Sequence, residues 1–137
     1  NRRAFDRDLE REVARAVRTE SALTLAVIDL DGLKRVNDGE GHAAGDRAIL
    51  RMGAALRSTS RRSDRAYRIG GDEFVVILSD AQIVDPEVLS DRLRAAGAPP
   101  FSVGMASAPP VPPDELFERA DDALYHARAE RGNGPPR

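Results

Sequence analysis

The chain has 137 residues, 21 basic against 23 acidic, a formal net charge of −2, 41% hydrophobic residues and no cysteine. A single domain of this length buries about two-thirds of the surface its unfolded form exposes, and the slight acidic balance argues against a broad nucleic-acid surface. Disulfides and thiolate zinc sites are excluded, no apolar run is long enough to span a membrane, and the charged start Asn1-Arg2-Arg3-Ala4-Phe5-Asp6 lacks a signal-peptide core; a cytoplasmic setting is the expectation. Phe5, Leu9, Val13 and Val17 recur at i+4 among charged neighbours, which predicts an amphipathic helix ending near residue 18. Leu23 to Leu30 is almost wholly apolar, as expected of a central strand covered on both faces, and it ends in Asp29-Leu30-Asp31-Gly32. A second helix is expected from about Ala43 to Ser58, with Ile49, Met52 and Leu56 on one side.

Arg65 to Ile69 and Phe74 to Leu78 read as two strands joined at Gly70-Gly71-Asp72-Glu73. A Gly-Gly pair there predicts a tight hairpin turn using the positive φ open to glycine, and it also lets a ligand approach the backbone. Asp85-Pro86 opens a further helix and Gly97 closes it. Phe101 to Ala106 reads as a strand and Pro109 to Pro113 as a stiff connector. The last helix runs from near Asp114 to about Arg131, with Leu116, Ala120, Leu124 and Ala127 inward. The pattern is a mixed α and β layer fold. Residues 1–131 are expected to be one domain cut from a longer multidomain protein, with 132–137 a flexible tail.

If the strand after Gly71 runs antiparallel to Leu23–Leu30, Asp72 and Glu73 face Asp29 and Asp31 across one sheet edge. Carboxylates converging from separate segments repel one another unless a cation joins them. Such an arrangement is how a metal-assisted phosphoryl-transfer centre is built. Each acid and base also has a bland reading. Asp46 complements a helix N-terminus, Arg128 and Arg131 a helix C-terminus, and Arg61-Arg62 forms a solvated cluster.

These residues resemble the GGDEF domain of diguanylate cyclases over essentially the whole chain. Arg68-Ile69-Gly70-Gly71-Asp72-Glu73-Phe74 carries the resemblance, together with Asp29 to Lys34, Asn37-Asp38, Gly41 to Asp46, Ser102 to Ala106 and Ala120 to Arg128. The resemblance implies an α+β fold with a ferredoxin-like βαββαβ core, nucleotide-cyclase-like, its mostly antiparallel sheet flanked by helices. It implies condensation of two GTP into cyclic di-GMP by a homodimer, with no nucleic-acid polymer or membrane as partner. Mg²⁺, as two ions with Mn²⁺ as a substitute, would be held by Asp29, the Leu30 carbonyl, Asp72 and Glu73. Asn37 and Asp46 would read guanine. The backbone of Asp31, Gly32 and Leu33 would cradle the β- and γ-phosphates, with Lys34, Arg128 and Arg131 as further phosphate partners. Gly70 and Gly71 would admit the nucleotide. Arg61 and Asp64, as Arg-x-x-Asp, would form an inhibitory product site that Arg15 completes from a neighbouring subunit.

Two departures from the family pattern stand out. Gly132 lies where the family has a phosphate-binding arginine, and residues 95–100 form a shorter link than usual. Gly132 keeps open a second reading, a weak or inactive module that binds GTP or cyclic di-GMP and signals through a partner. A monomeric Mg²⁺-dependent nucleotide hydrolase is a third.

Overall fold

The structure, a computed structural model, describes residues 1–81 and 85–131, the side chain of Arg131 excepted. The expected tail at 132–137, Gly132 included, lies outside the described residues. Helix α1 (Arg2–Arg18) leads into β1 (Leu23–Leu30), followed by α2 (Leu33–Glu40), α3 (His42–Thr59), β2 (Arg65–Arg68), β3 (Glu73–Ser79), α4 (Pro86–Ala95), β4 (Phe101–Ala108) and α5 (Pro113–Arg131). The sheet has four strands in the order β2-β3-β1-β4, and every neighbouring pair is antiparallel. This is the expected βαββαβ core, with α1 and α5 added at its ends.

The strand period places the two cores. Leu23, Leu25 and Val27 enter one core with Phe5, Leu9 and Val13 of α1 and Leu116, Ala120 and Leu124 of α5. Ala26, Ile28 and Leu30 enter the other with Met52 and Leu56 of α3 and Leu89 and Leu93 of α4. A strand buried on both faces has no use for polar side chains, so Asp29 in β1 is conspicuous. Truncating one of these leucines to alanine costs about 2–5 kcal/mol.

Three local expectations differ from what is observed. Val17 is 58% exposed and Ala16 is buried instead, because each i+4 step drifts about 40° around a 3.6-residue helix. Residues 33–40 form α2, a short helix with no fully buried residue, whose Leu33 and Val36 are too few to betray it. The glycines with positive φ are Gly32, Gly41 and Gly97, not Gly70 or Gly71. At Gly104 an added Cβ would collide with the Ala120 carbonyl and the Leu124 amide, so α5 lies directly on β4 and is fixed relative to β1. Among the described residues no helix is long and apolar enough to cross a membrane.

Candidate active site

The pairing of β1 with β3 sets Asp29 directly opposite Glu73, and the Leu30 amide donates to the Asp72 carbonyl at 3.0 Å. Like charges in such cross-strand positions are destabilising. Asp29 Oδ2 accepts from Arg128 Nη1 at 2.7 Å, while its Oδ1 is buried without a hydrogen-bond partner. Burial, and next the charge of Asp72, hold the Asp29 carboxyl above its ordinary value, while the Arg128 guanidinium and a hydrogen bond with Glu73 pull it the other way. Among the described residues, Arg128 is the cation in contact with Asp29, which also feels the charge of Asp72.

Asp31 departs from the converging set. Its Oδ1 accepts from Ser102 Oγ at 2.8 Å, and its amide donates to the Pro100 carbonyl at 2.9 Å. The Asp31 amide is thus engaged, and the donors facing out of this turn are those at the start of α2. Gly32, at φ 67°, turns the chain into α2, whose N-terminus carries no side-chain cap. The first amides of a helix have no intrahelical acceptor and suit an anion. Lys34 is exposed on the first turn of α2.

The hairpin tip is held by Arg68, which donates to the Gly70 carbonyl at 3.1 Å and to Gly71 at 2.8 Å. A Cβ at Gly71 would meet no atom of the protein, and one at Gly70 would be in ordinary contact with Glu73. Neither backbone strain nor internal crowding requires glycine here. What the two glycines provide is an uncluttered approach from outside, beside Asp72 and Glu73.

Asn37, on α2, packs its amide over Gly45, where an added Cβ would collide with it. Its Oδ1 is buried with no partner. Asp46 follows just past the first turn of α3 and is exposed. The α2–α3 pair therefore offers a carbonyl oxygen and a carboxylate on adjoining helices, chemistry able to meet both donors and acceptors of a base.

A second cluster gathers at the far end of β3. Arg61 donates to Asp64 Oδ1 at 3.1 Å and to the Ser79 carbonyl at 2.9 Å, and Asp64 Oδ2 accepts from the Arg61 amide at 2.8 Å. Arg15 reaches Asp80 at 3.7 Å and Glu12 at 3.6 Å, and Glu12 accepts from Ser79 Oγ at 2.9 Å. Within one chain, Arg61 thus reaches Ser79 and Arg15 the adjacent Asp80. A cavity of about 630 Å³ adjoins, lined by Arg61, Asp64, Tyr67, Arg68 and Phe74 among others.

Among the described residues no three acidic or imidazole side chains stand together as a ready metal cage. Mg²⁺ uses one or two carboxylates and takes its other ligands from water and substrate phosphates. The partnerless Asp29 Oδ1 opposite Glu73 fits that donor chemistry. Sequence reasoning missed two supporting residues. Arg68 belongs to the hairpin motif, but nothing in the spacing shows that it grips the glycine carbonyls. Ser102 could have been found as the polar residue in an otherwise apolar start to β4. The side chain of Arg131 lies outside the described residues.

A family model for the diguanylate cyclase GGDEF domain matches residues 1–134. The chain is 37% identical to the diguanylate cyclase DgcS of Shewanella oneidensis, covering 97% of this chain and 48% of that protein. It is 41% identical to the diguanylate cyclase DgcP of Pseudomonas aeruginosa, covering 93% of this chain and 21% of that protein. It therefore spans half or less of the length of these relatives. Among solved structures, the GGDEF domain of DgcB from Caulobacter crescentus, in complex with c-di-GMP, superposes with a TM-score of 0.87 at 30% identity, covering 97% and 84% of the two chains. The active GGEEF domain of a diguanylate cyclase from Vibrio cholerae superposes at 0.85 with 25% identity, covering 95% and 91%.

Proposed function

The chain belongs to the GGDEF domain family of diguanylate cyclases, and on that premise we propose that it condenses two GTP into cyclic di-GMP with release of pyrophosphate. The observation that carries the proposal is the buried, partnerless oxygen of Asp29 set opposite Glu73, next to a glycine tip that nothing inside the protein requires. Asp29, Glu73, Asp72 and the Leu30 carbonyl would hold Mg²⁺, which polarises the α-phosphate and acidifies the attacking 3′-hydroxyl when bound.

The chain's own groups supply the rest. Asn37 and Asp46 hold the guanine edge. The open amides at the start of α2 and the Lys34 ammonium hold phosphate oxygens. Arg68 keeps the tip in place by fixing its two carbonyls. The 3′-oxygen of one GTP bonds to the α-phosphorus of the other as pyrophosphate leaves, and the reciprocal attack closes the ring. One chain presents one such site, so two copies facing each other complete the reaction. Arg61 and Asp64, completed by Arg15 of a neighbouring copy, form the place where the product binds back, exchanging their internal pairs for the guanine and phosphate edges of cyclic di-GMP.

Incubation with GTP and Mg²⁺, with products resolved by chromatography, tests this reading. Cyclic di-GMP that disappears in Asp72→Ala supports it. Nucleotide binding without product replaces it with the signalling module, and GDP with a hydrolase. Arg61→Ala relieves product inhibition; unchanged inhibition removes the second site from the account.

A further inference from the structure

We infer that Arg128 competes with the divalent cation for Asp29, so that the metal enters together with the nucleotide rather than ahead of it. The inference rests on the cyclase reading and deepens it. The Arg128 guanidinium lies 2.7 Å from Asp29 Oδ2, and the two side chains are 24% and 13% exposed. The two residues are 99 positions apart, and the contact depends on how α5 seats on the sheet. Gly104 lets the α5 backbone press onto β4 at Ala120 and Leu124. Arg128 then follows Leu124 by one turn on the same face, which brings it over the end of β1.

A guanidinium cannot lose its proton, so this cation persists whenever Asp29 is ionised. A free divalent ion that takes Asp29 must either displace Arg128 or bind beside a fixed like charge, and both weaken its hold. A metal–triphosphate complex is different, because it remains an anion. Its phosphate oxygens offer the guanidinium fork a new acceptor as Asp29 passes to the metal. Arg128 exchanges one oxyanion for another. By linkage, the contact that opposes free metal favours the metal–nucleotide complex.

The test is Mn²⁺ titration of the whole chain, followed by the electron paramagnetic resonance of free Mn²⁺, with and without a GTP analogue blocked at the α–β bridge. Arg128→Met keeps the aliphatic stem and removes the charge; Arg128→Lys keeps the charge without the fork. Without nucleotide, Arg128→Met binds Mn²⁺ roughly two- to fivefold tighter than wild type, the worth of one partly exposed charge pair. With the analogue it binds the complex roughly tenfold more weakly. Arg128→Lys falls between, and Asp29→Asn removes the binding in every background. Mn²⁺ affinity that is Asp29-dependent yet unchanged or weaker in Arg128→Met overturns the inference and leaves the cyclase reading standing. Absence of any Asp29-dependent Mn²⁺ binding, even with the analogue, overturns both.

Discussion

On the α1 side of the sheet, Tyr67 donates its hydroxyl to Asp8 at 2.6 Å and Ser79 donates to Glu12 at 2.9 Å. Around the opposite end of β1, Asp29 and Asn37 each keep a buried oxygen with no partner. The two aspartates register the difference. The Tyr67 hydrogen bond, as the largest influence, holds Asp8 below its ordinary value. Burial and Asp72 hold Asp29 above its own. Both regions are polar and enclosed, but the first is satisfied by its own chain and the second is not. Unsatisfied buried groups in a folded protein call for an explanation, and the proposed nucleotide and metal would supply it.

Replacing the unsatisfied acid should break the comparison most visibly. Asp29→Asn is expected to lower cyclic di-GMP formation by roughly a hundredfold or more without lowering the melting temperature at pH 7. The sign follows from the raised folded value: ionising Asp29 costs stability at neutral pH, and protonation relieves that cost as pH falls. The variant's melting temperature relative to wild type should therefore be most favourable near pH 7 and decline toward pH 4. Asp8→Asn runs oppositely. The stability that Asp8 contributes is present above its ordinary 3.8 and is lost as pH falls through its lower folded value, so that variant is penalised at neutral pH and the penalty fades in acid. Melting scans from neutral pH to well below 3.8 check both; parallel profiles for the two variants would dissolve the contrast.

Gly45→Ala sharpens the comparison from the nucleobase side. The added methyl displaces the Asn37 amide, and GTP binding should weaken about tenfold, the worth of one or two hydrogen bonds, as read from KM. Within the satisfied region, Tyr67→Phe should lower the unfolding free energy by about 1–2 kcal/mol in urea and leave product formation largely intact. Ser90 provides the control. It is fully buried on α4, away from the acidic edge, and its hydroxyl has no partner. No ligand explains it, so Ser90→Ala should be neutral or stabilise by up to about 1 kcal/mol. A loss of activity in that variant would show that unpaired polar atoms do not single out the site.

Much of this was legible from residue order. The eight apolar-rich positions of β1, the hairpin around Gly70-Gly71, and the Asp85-Pro86 start and Gly97 stop of α4 are all local signals, and each element formed where they point. Helix α2 was not legible, because it is short and only partly buries Leu33 and Val36, too few apolar positions to stand out as a period. Val17 misled because a run of i+4 spacings drifts around the helix.

The chain's chemistry, meaning which acids, glycines and arginines it owns and how they are spaced along strands and helices, is set by the sequence alone, since periods of 2 and 3.6 residues are properties of the local backbone. Tertiary structure alone decided that Asp31 turns to Ser102, that Arg128 pairs with Asp29, and that one Asp29 oxygen is left without a donor. Charge balance depends on distance in space, and that distance is fixed only when strand register and the seating of α5 on β4 bring remote residues together.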